Sequence, residues 1–448
     1  MNYNYLPHTD KDRKEMLASI GVESVEELFK DIPKSLWMKR ELDLPEPLSE
    51  MELKQHLQEL AGKNQDLTEH TSFIGAGVYD HYIPSVVGHM LKRSEFYTAY
   101  TPYQAEASQG TLQTIFEYQT MISELTGMEV SNASMYDGAT SVAEAALMAL
   151  KAAKGDVVLV SETVHPSYIR VLRTYVEAQD FEVQMVPAKN GITDVAALED
   201  QLNKEVACFV AQNPNFFGNI EQLDGVKEKL QEHKAMFAVC ADPISLAIMK
   251  PPAEYGADIV VGDGQSLGNP MNFGGPLMGF FASSKKLMRK MPGRIIGETK
   301  DLEGNRGYVM TLQTREQHIR REKATSNICS NQALNSLAAG IYMTLMGPDG
   351  MKQVANLCLQ KANYAKEQIA ALPGYEVAFD QPHFKEFVIK TPKPVPEVNQ
   401  ALMEHKIVGG LDLEWYYPDM KNHMLVCVTE KRSKEDIDKL VSGLEGIK

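Results

Sequence analysis

The stretch Gly256–Phe281, GADIVVGDGQSLGNPMNFGGPLMGFF, decides the fold. An Ala-Asp-apolar strand leads into a loop of small residues, and the chain returns through Gly274-Gly275-Pro276 to a second apolar strand. Short continuous apolar runs bounded by Gly and Pro read as strands buried on both faces. No lysine occurs from Pro251 to Ser284, and Gln265 and Ser266 sit in the loop between the strands.

Working outward, the same pattern repeats. DVVLV (156–160), FEVQMVP, VACFVAQ and AMFAVCAD (235–242) read as strands. SYIRVLRTYVEAQ, DVAALEDQLN and GVKEKLQEHKA read as the helices between them. Strands alternating with helices imply an α/β fold with a mainly parallel sheet covered on both faces. Upstream, residues 1–70 read as a helical arm. Thr9 and Asp10 cap a helix over Lys11–Ile20, Ser24 and Glu27 have capping-box spacing, and Ser49 begins another helix. Such an arm either wraps a partner subunit or packs on its own chain. Residues 71–110, rich in Gly, Tyr, His and Pro, read as a long aromatic loop. A large α/β domain over 71–335 and a small C-terminal α+β domain over 336–448 complete the expected organisation.

Lys and Arg total 45 against 60 Asp and Glu, a net charge of −15. That balance argues against nucleic acid and anionic membranes as main partners. The five cysteines are scattered and form no CxxC pair, which fits reduced thiols in a cytoplasmic protein. The N-terminal segment has no apolar run of the secretory type, and no segment is apolar enough to span a membrane.

In an open parallel sheet, ligands bind at the carboxyl ends of the strands. Asp137-Gly138-Ala139-Thr140 precedes an Ala-rich helix, so its amides can cradle a phosphate or merely be capped by Asp137. His165 follows a strand and can stack on an aromatic ring or shape a turn. Asp242 ends a strand, where a carboxylate can pair with a protonated pyridine nitrogen or cap a helix. With Gln265 and Ser266, these residues follow the order of a pyridoxal-phosphate site. Enzymes of the aspartate-aminotransferase fold carry a Schiff-base lysine on such a loop, and neither an amide nor a hydroxyl replaces a neutral amine there. Lys250 and Lys285 flank the loop and read as surface lysines. The block Gln313–Asn327, with Arg315, Arg320, Arg321 and Lys323, reads as a charged helix, or as a surface for anions or a partner.

Several long motifs resemble the glycine cleavage system P-protein family: MPGRIIGETKDLEGNRGYVMTLQTREQHIRREKATSNICSNQAL (291–334), YTPYQAEASQG (100–110), SNASMYDGAT (131–140) and KPPAEYGADIVVGDGQSLGNPMNFGGP (250–276). The resemblance runs from the arm to the final VTEKRSKEDIDKLV. It implies a pyridoxal-phosphate-dependent transferase large domain (aspartate aminotransferase-like, fold type I) and a small α+β domain. It also implies one half of a protein that some organisms split into two subunits in an α2β2 assembly. The other half carries the lysine in a segment of the type H-K-T-F. By the resemblance this chain is therefore the alpha half. Pyridoxal phosphate is expected covalently on the beta subunit, and no metal is expected. The implied reaction decarboxylates glycine, transfers the aminomethyl group to the lipoyl arm of H-protein, and releases CO2. Tyr100, Tyr103, Arg315, His318, Thr325, Ser326 and Asn327 are then expected near the beta subunit's site, with no catalytic residue assigned on this chain. Gly138, Ala139, Thr140, His165, Asp242, Gln265 and Ser266 form an expected vestigial cofactor pocket. Two alternatives stay open: a purely structural scaffold, or an independent pyridoxal-phosphate enzyme with an unusual lysine.

Overall fold

The computed structural model describes residues 6–447, and its contacts divide the chain into two compact units, 1–65 and 66–448. The first unit contains helices α1 (Asp10–Ile20) and α2 (Glu50–Ala61). Thr9 with Asp12, and Ser49 with Glu52, close reciprocal capping boxes, which satisfy amides that a helix terminus otherwise leaves free. The box expected at Ser24 does not form. Val25–Phe29 is a 3-10 turn, and the Glu27 carboxylate accepts from the Glu23 amide instead. No described residue of this unit is buried, although Leu36, Leu44 and Met51 are large apolar side chains.

In the second unit, α3 (Gln109–Thr126) precedes a seven-stranded sheet of β1 (Val130–Ser131), β2 (Val157–Ser161), β3 (Glu182–Val186), β4 (Val206–Asn213), β5 (Met236–Ala241), β6 (Ile259–Asp263) and β7 (Gly279–Ser283). The spatial order is β1-β7-β6-β5-β4-β2-β3. All neighbours from β6 to β3 pair in parallel, whereas β7 runs antiparallel to β6 and β1. The opening stretch is therefore a β6–loop–β7 hairpin. Its apolar runs are explained by burial on both sides. Phe209 and Ala211 of β4 feed one core cluster, while Cys208 and Val210 feed the other. Helix α4 (Gly138–Ala152) contributes Val142, Leu147 and Leu150 to the second cluster, and α5 (Pro166–Glu177) adds Leu172 and Val176.

After β7, strands β8 (Ile295–Lys300) and β9 (Arg306–Thr311) form an antiparallel hairpin with Ile295 opposite Thr311. Gly297 and Gly307 interrupt the alternation that would mark it in sequence. The hairpin forms because Ile296, Tyr308 and Met310 bury against Leu112 and Ile115 of α3. Gln313–Lys323 is a series of single turns rather than one charged helix.

Helix α6 (Ala333–Ala370) is long, with a break at Gly347 (φ 60°) before Pro348. Its Ala338–Cys358 part joins the core of the large sheet, and Ala362, Ala365 and Ile369 join the C-terminal core. That core covers an antiparallel sheet of β10 (Glu376–Val377), β11 (Glu386–Lys390), β12 (Leu411–Asp412) and β13 (His423–Cys427), ordered β10-β11-β13-β12. Helices α7 (Val395–Met403) and α8 (Lys434–Glu445) pack on it. No helix among the described residues is long and apolar enough to cross a membrane.

Candidate functional site

The carboxyl ends of the parallel strands converge on one pocket lined by His165, Gln212, Asp242, Asp263, Tyr79 and, from the C-terminal sheet, Lys385 and Glu386. Of the expected vestigial residues, His165 and Asp242 line it. Gly138 borders it through the Tyr168 hydroxyl, which lies 2.6 Å from where a Gly138 side chain would begin.

The groups expected to meet the phosphate, the ring and the ring nitrogen are already engaged. Asp137 caps α4 by accepting from the Thr140 amide at 2.7 Å, and the Gly138 amide donates to the Asp263 carboxylate at 3.0 Å. Asp263 also accepts from the Gln265 amide at 2.9 Å. Burial pushes Asp263 up to about 7, opposed by those two amides. The His165 Nδ1 accepts from the Ser167 amide and its Nε2 faces the Ala76 carbonyl at 2.9 Å. A carbonyl only accepts, so Nε2 carries the hydrogen, and burial lowers the imidazole's pKa. Its ring stacks on Tyr168 at 4.6 Å and 12°. Asp242 Oδ1 accepts from the Ile244 and Ser245 amides, while Oδ2 lies 2.6 Å from the Lys385 ammonium.

Lys385 is the residue that sequence reasoning missed. Its side chain is 2% exposed, and its ammonium also contacts His81 Nε2 at 3.1 Å and lies 3.4 Å from the centre of the Tyr79 ring. Burial opposes this charge, but Asp242 outweighs it and holds the ammonium above the ordinary lysine range. His81 in turn meets Glu430 at 2.6 Å, and Tyr79 donates to Glu386 at 2.8 Å. Only the preceding Phe384 and the apolar EFVIK strand hint in sequence that this lysine is buried. The cluster of His81, Cys358 and Glu430 has metal-ligand chemistry, but the adjoining Lys385 ammonium repels a cation. Gln265 binds the Tyr79 backbone at both amide ends, at 2.8 and 3.0 Å, and Ser266 Oγ is buried without a partner. Lys250 and Lys285 are exposed.

These contacts do not fit pyridoxal phosphate. The carboxylate for the ring nitrogen faces an ammonium, the helix terminus for the phosphate faces a carboxylate, and the stacking histidine faces a tyrosine.

Two residues before Lys385, burial first and then the Lys366 charge pull His383 down from 6.5 to about 4. Between those values the unfolded chain binds more protons, so this contribution is full above about 6.5 and lost as pH falls toward about 4. Stability is expected to drop by about 2 kcal/mol from pH 7 to pH 5 through this group. Urea unfolding of His383→Gln at both pH values checks it: the drop should shrink by about that amount.

A second set of cavities surrounds Arg294, which lines three adjoining pockets. Its guanidinium donates to the Cys329 carbonyl at 2.6 Å and the Tyr103 hydroxyl at 3.3 Å, and its Nε is buried without a partner. Tyr100 lines one pocket, Tyr103 and His318 another, and Arg315, Thr325 and Ser326 the third. Asn327 is exposed and lines none of these three. Arg315 does not offer itself to an anion. It donates to the Leu312 carbonyl at 3.1 Å, the Gly293 carbonyl at 2.9 Å and the Met291 carbonyl. Ser326 likewise donates to Glu144 at 2.6 Å. Arg294, unremarked within its motif, is the cation at the centre of this cleft.

Comparison with solved structures defines the class. The chain superposes with a TM-score of 0.91, at 43% identity and full coverage of both chains, on a glycine decarboxylase (P-protein) of the glycine cleavage system in inhibitor-bound form. An alanine–glyoxylate aminotransferase from Nostoc sp. shares only the fold, at 16% identity and a TM-score of 0.59 over 85% of this chain and 96% of its own. The fold is thus the α/β fold type I of pyridoxal-phosphate-dependent enzymes. A family model described as glycine cleavage system P-protein matches residues 3–444. Proteins named probable glycine dehydrogenase (decarboxylating) subunit 1 from Desulforamulus reducens and Anoxybacillus flavithermus are 55% and 54% identical, over 99% of both chains in each case. The chain belongs to the glycine cleavage system P-protein family.

Proposed function

We propose that this chain is the alpha subunit of a cytoplasmic two-subunit glycine dehydrogenase (decarboxylating), inactive alone and assembled as α2β2 with a homologous beta subunit. Whole-length similarity to relatives named subunit 1 supports this reading. The observation that carries it is the Arg294 cleft, because six of the seven residues expected near the partner's site line its pockets. The proposed large domain, 71–335, and small domain, 336–448, meet within α6, whose Ala338–Cys358 part packs with the large sheet.

In this reading pyridoxal phosphate on the beta subunit supplies the electron sink for loss of the glycine carboxylate. This chain's part is to complete the site. Arg294 holds the Cys329 carbonyl and Tyr103 at the cleft wall, so that the exposed rings of Tyr100 and Tyr103 exclude water and orient the lipoyl arm of H-protein. The protein then releases CO2 and hands the aminomethyl group to that arm.

Two measurements test this. Borohydride reduction of the co-purified subunits, followed by peptide mapping, should place pyridoxyl-lysine on the beta subunit alone; a labelled lysine in this chain sinks the reading. Arg294→Ala and Tyr100→Ala should leave assembly intact by gel filtration. Both should lower glycine–bicarbonate exchange, Arg294→Ala by about 100-fold through misplacement of the cleft wall. Undiminished exchange in both variants would support a scaffold that only stabilises its partner.

A further inference from the structure

The carboxyl-end pocket retains its walls but presents the wrong charges to a cofactor. At one end Asp242 meets the Lys385 ammonium at 2.6 Å. At the other, the Gly138 amide of the α4 terminus meets the Asp263 carboxylate at 3.0 Å. Between them the His165 ring lies flat on Tyr168 at 4.6 Å. A bound pyridoxal phosphate has three recognisable parts: a cationic ring nitrogen, a flat ring, and a phosphate. Each of its three partners here is matched by a side chain of the same kind as the missing part: ammonium, aromatic ring and oxyanion.

We propose that this pocket is self-occupied: Lys385, Tyr168 and Asp263 stand in for the ring nitrogen, ring and phosphate of a pyridoxal-type cofactor, excluding it and locking the C-terminal sheet to the large sheet. The proposal deepens the reading that the cofactor lies on the partner subunit, and it rests on that reading only for the cofactor being absent from this chain. Lys385 immediately precedes β11, and Asp242 follows β5, so their ion pair joins the two sheets. His81 and the Tyr79 ring meet the same ammonium and are held in turn by Glu430 and Glu386, which anchors the 71–110 segment to it. A buried ion pair is costly to break from one side, because the remaining charge is left without a partner. Replacement of both partners removes that cost.

The test uses the full chain and pyridoxamine 5′-phosphate, which has the ring and phosphate but no aldehyde to react with surface lysines. Wild type should show no saturable binding by fluorescence titration. Lys385→Ala/Asp263→Ser, which opens both ends, should bind at least tenfold more tightly. Saturable binding to wild type with equal affinity overturns the proposal while leaving the partner-held cofactor intact. No gain in a double variant that still melts cooperatively overturns it too. Melting temperatures give an arm that does not need the double variant to fold. Asp242→Asn should lower the melting temperature by roughly 5 °C, and Lys385→Met/Asp242→Asn should recover most of the loss. Equal melting of Asp242→Asn and that pair overturns the lock. A pyridoxyl-lysine at position 385 after borohydride treatment of wild type with pyridoxal phosphate would overturn both the proposal and the partner-held cofactor.

Discussion

Gly218→Ala is expected to destabilise the protein by about 4 kcal/mol. Gly218 has φ +82°, and a side chain there would begin 2.0 Å from the Glu386 carbonyl oxygen. The left-handed backbone alone costs an alanine about 1–2 kcal/mol. Overlap with a backbone atom adds about 1–3 kcal/mol, because a carbonyl has no rotamer into which to retreat. The neighbourhood cannot readily move. The Phe384 amide donates to the Gly218 carbonyl at 3.1 Å, and the Gly218 amide donates to Asn215 at 2.9 Å. These bonds fix the register of Lys385 and Glu386 against the large sheet. Gly225 supplies the control: its φ is +81°, but nothing lies within 4 Å of its missing side chain. Gly225→Ala should therefore cost only about 1–2 kcal/mol. Urea midpoints of the two variants measure the contrast, and equal values would show that the Glu386 contact gives way without cost.

Arg315→Ala should cost roughly 3 kcal/mol, felt locally rather than across the whole fold. Three backbone carbonyls, of Met291, Gly293 and Leu312, converge on its guanidinium. Bonds from a charged donor are each worth somewhat more than neutral ones, and removing the donor strands the acceptors. The residues so tied flank Arg294 and the hairpin. Hydrogen exchange should accelerate in 291–293 and 312–327 of the variant, while the strands of the large sheet stay protected. Arg315→Lys should recover only part of the loss, because one ammonium cannot reproduce a planar fork of donors. Uniform loss of protection across the large sheet would contradict a local clamp.

The large sheet was legible because its strands are buried on both faces, and that condition writes itself into sequence as continuous apolar runs such as DVVLV and AMFAVCAD. The β8–β9 hairpin was not, because its apolar face is set by Leu112 and Ile115, residues of a distant helix. The order of Asp137, His165, Asp242 and Gln265 pointed to the strand ends, where His165 and Asp242 line a pocket. It did not show what each side chain touches. Asp242 has the right place for a ring-nitrogen partner and yet faces Lys385, 143 positions along the numbering and on the other sheet. Arg315, read as part of a charged helix or of a surface for anions or a partner, is held by backbone carbonyls whose availability no local pattern announces.

The sequence by itself determined the class of fold, the family and the absence of a lysine from the 256–281 loop. These are written in local runs and motifs, since burial periodicity and residue identity need no long-range partner to be read. Only the tertiary structure decided that Lys385 and Asp263 confront the two ends of the pocket, and that Arg294 rather than Arg315 is the cation at the centre of the cleft. Charge pairing acts over a few ångströms in space, and two sheets brought together by α6 set those distances.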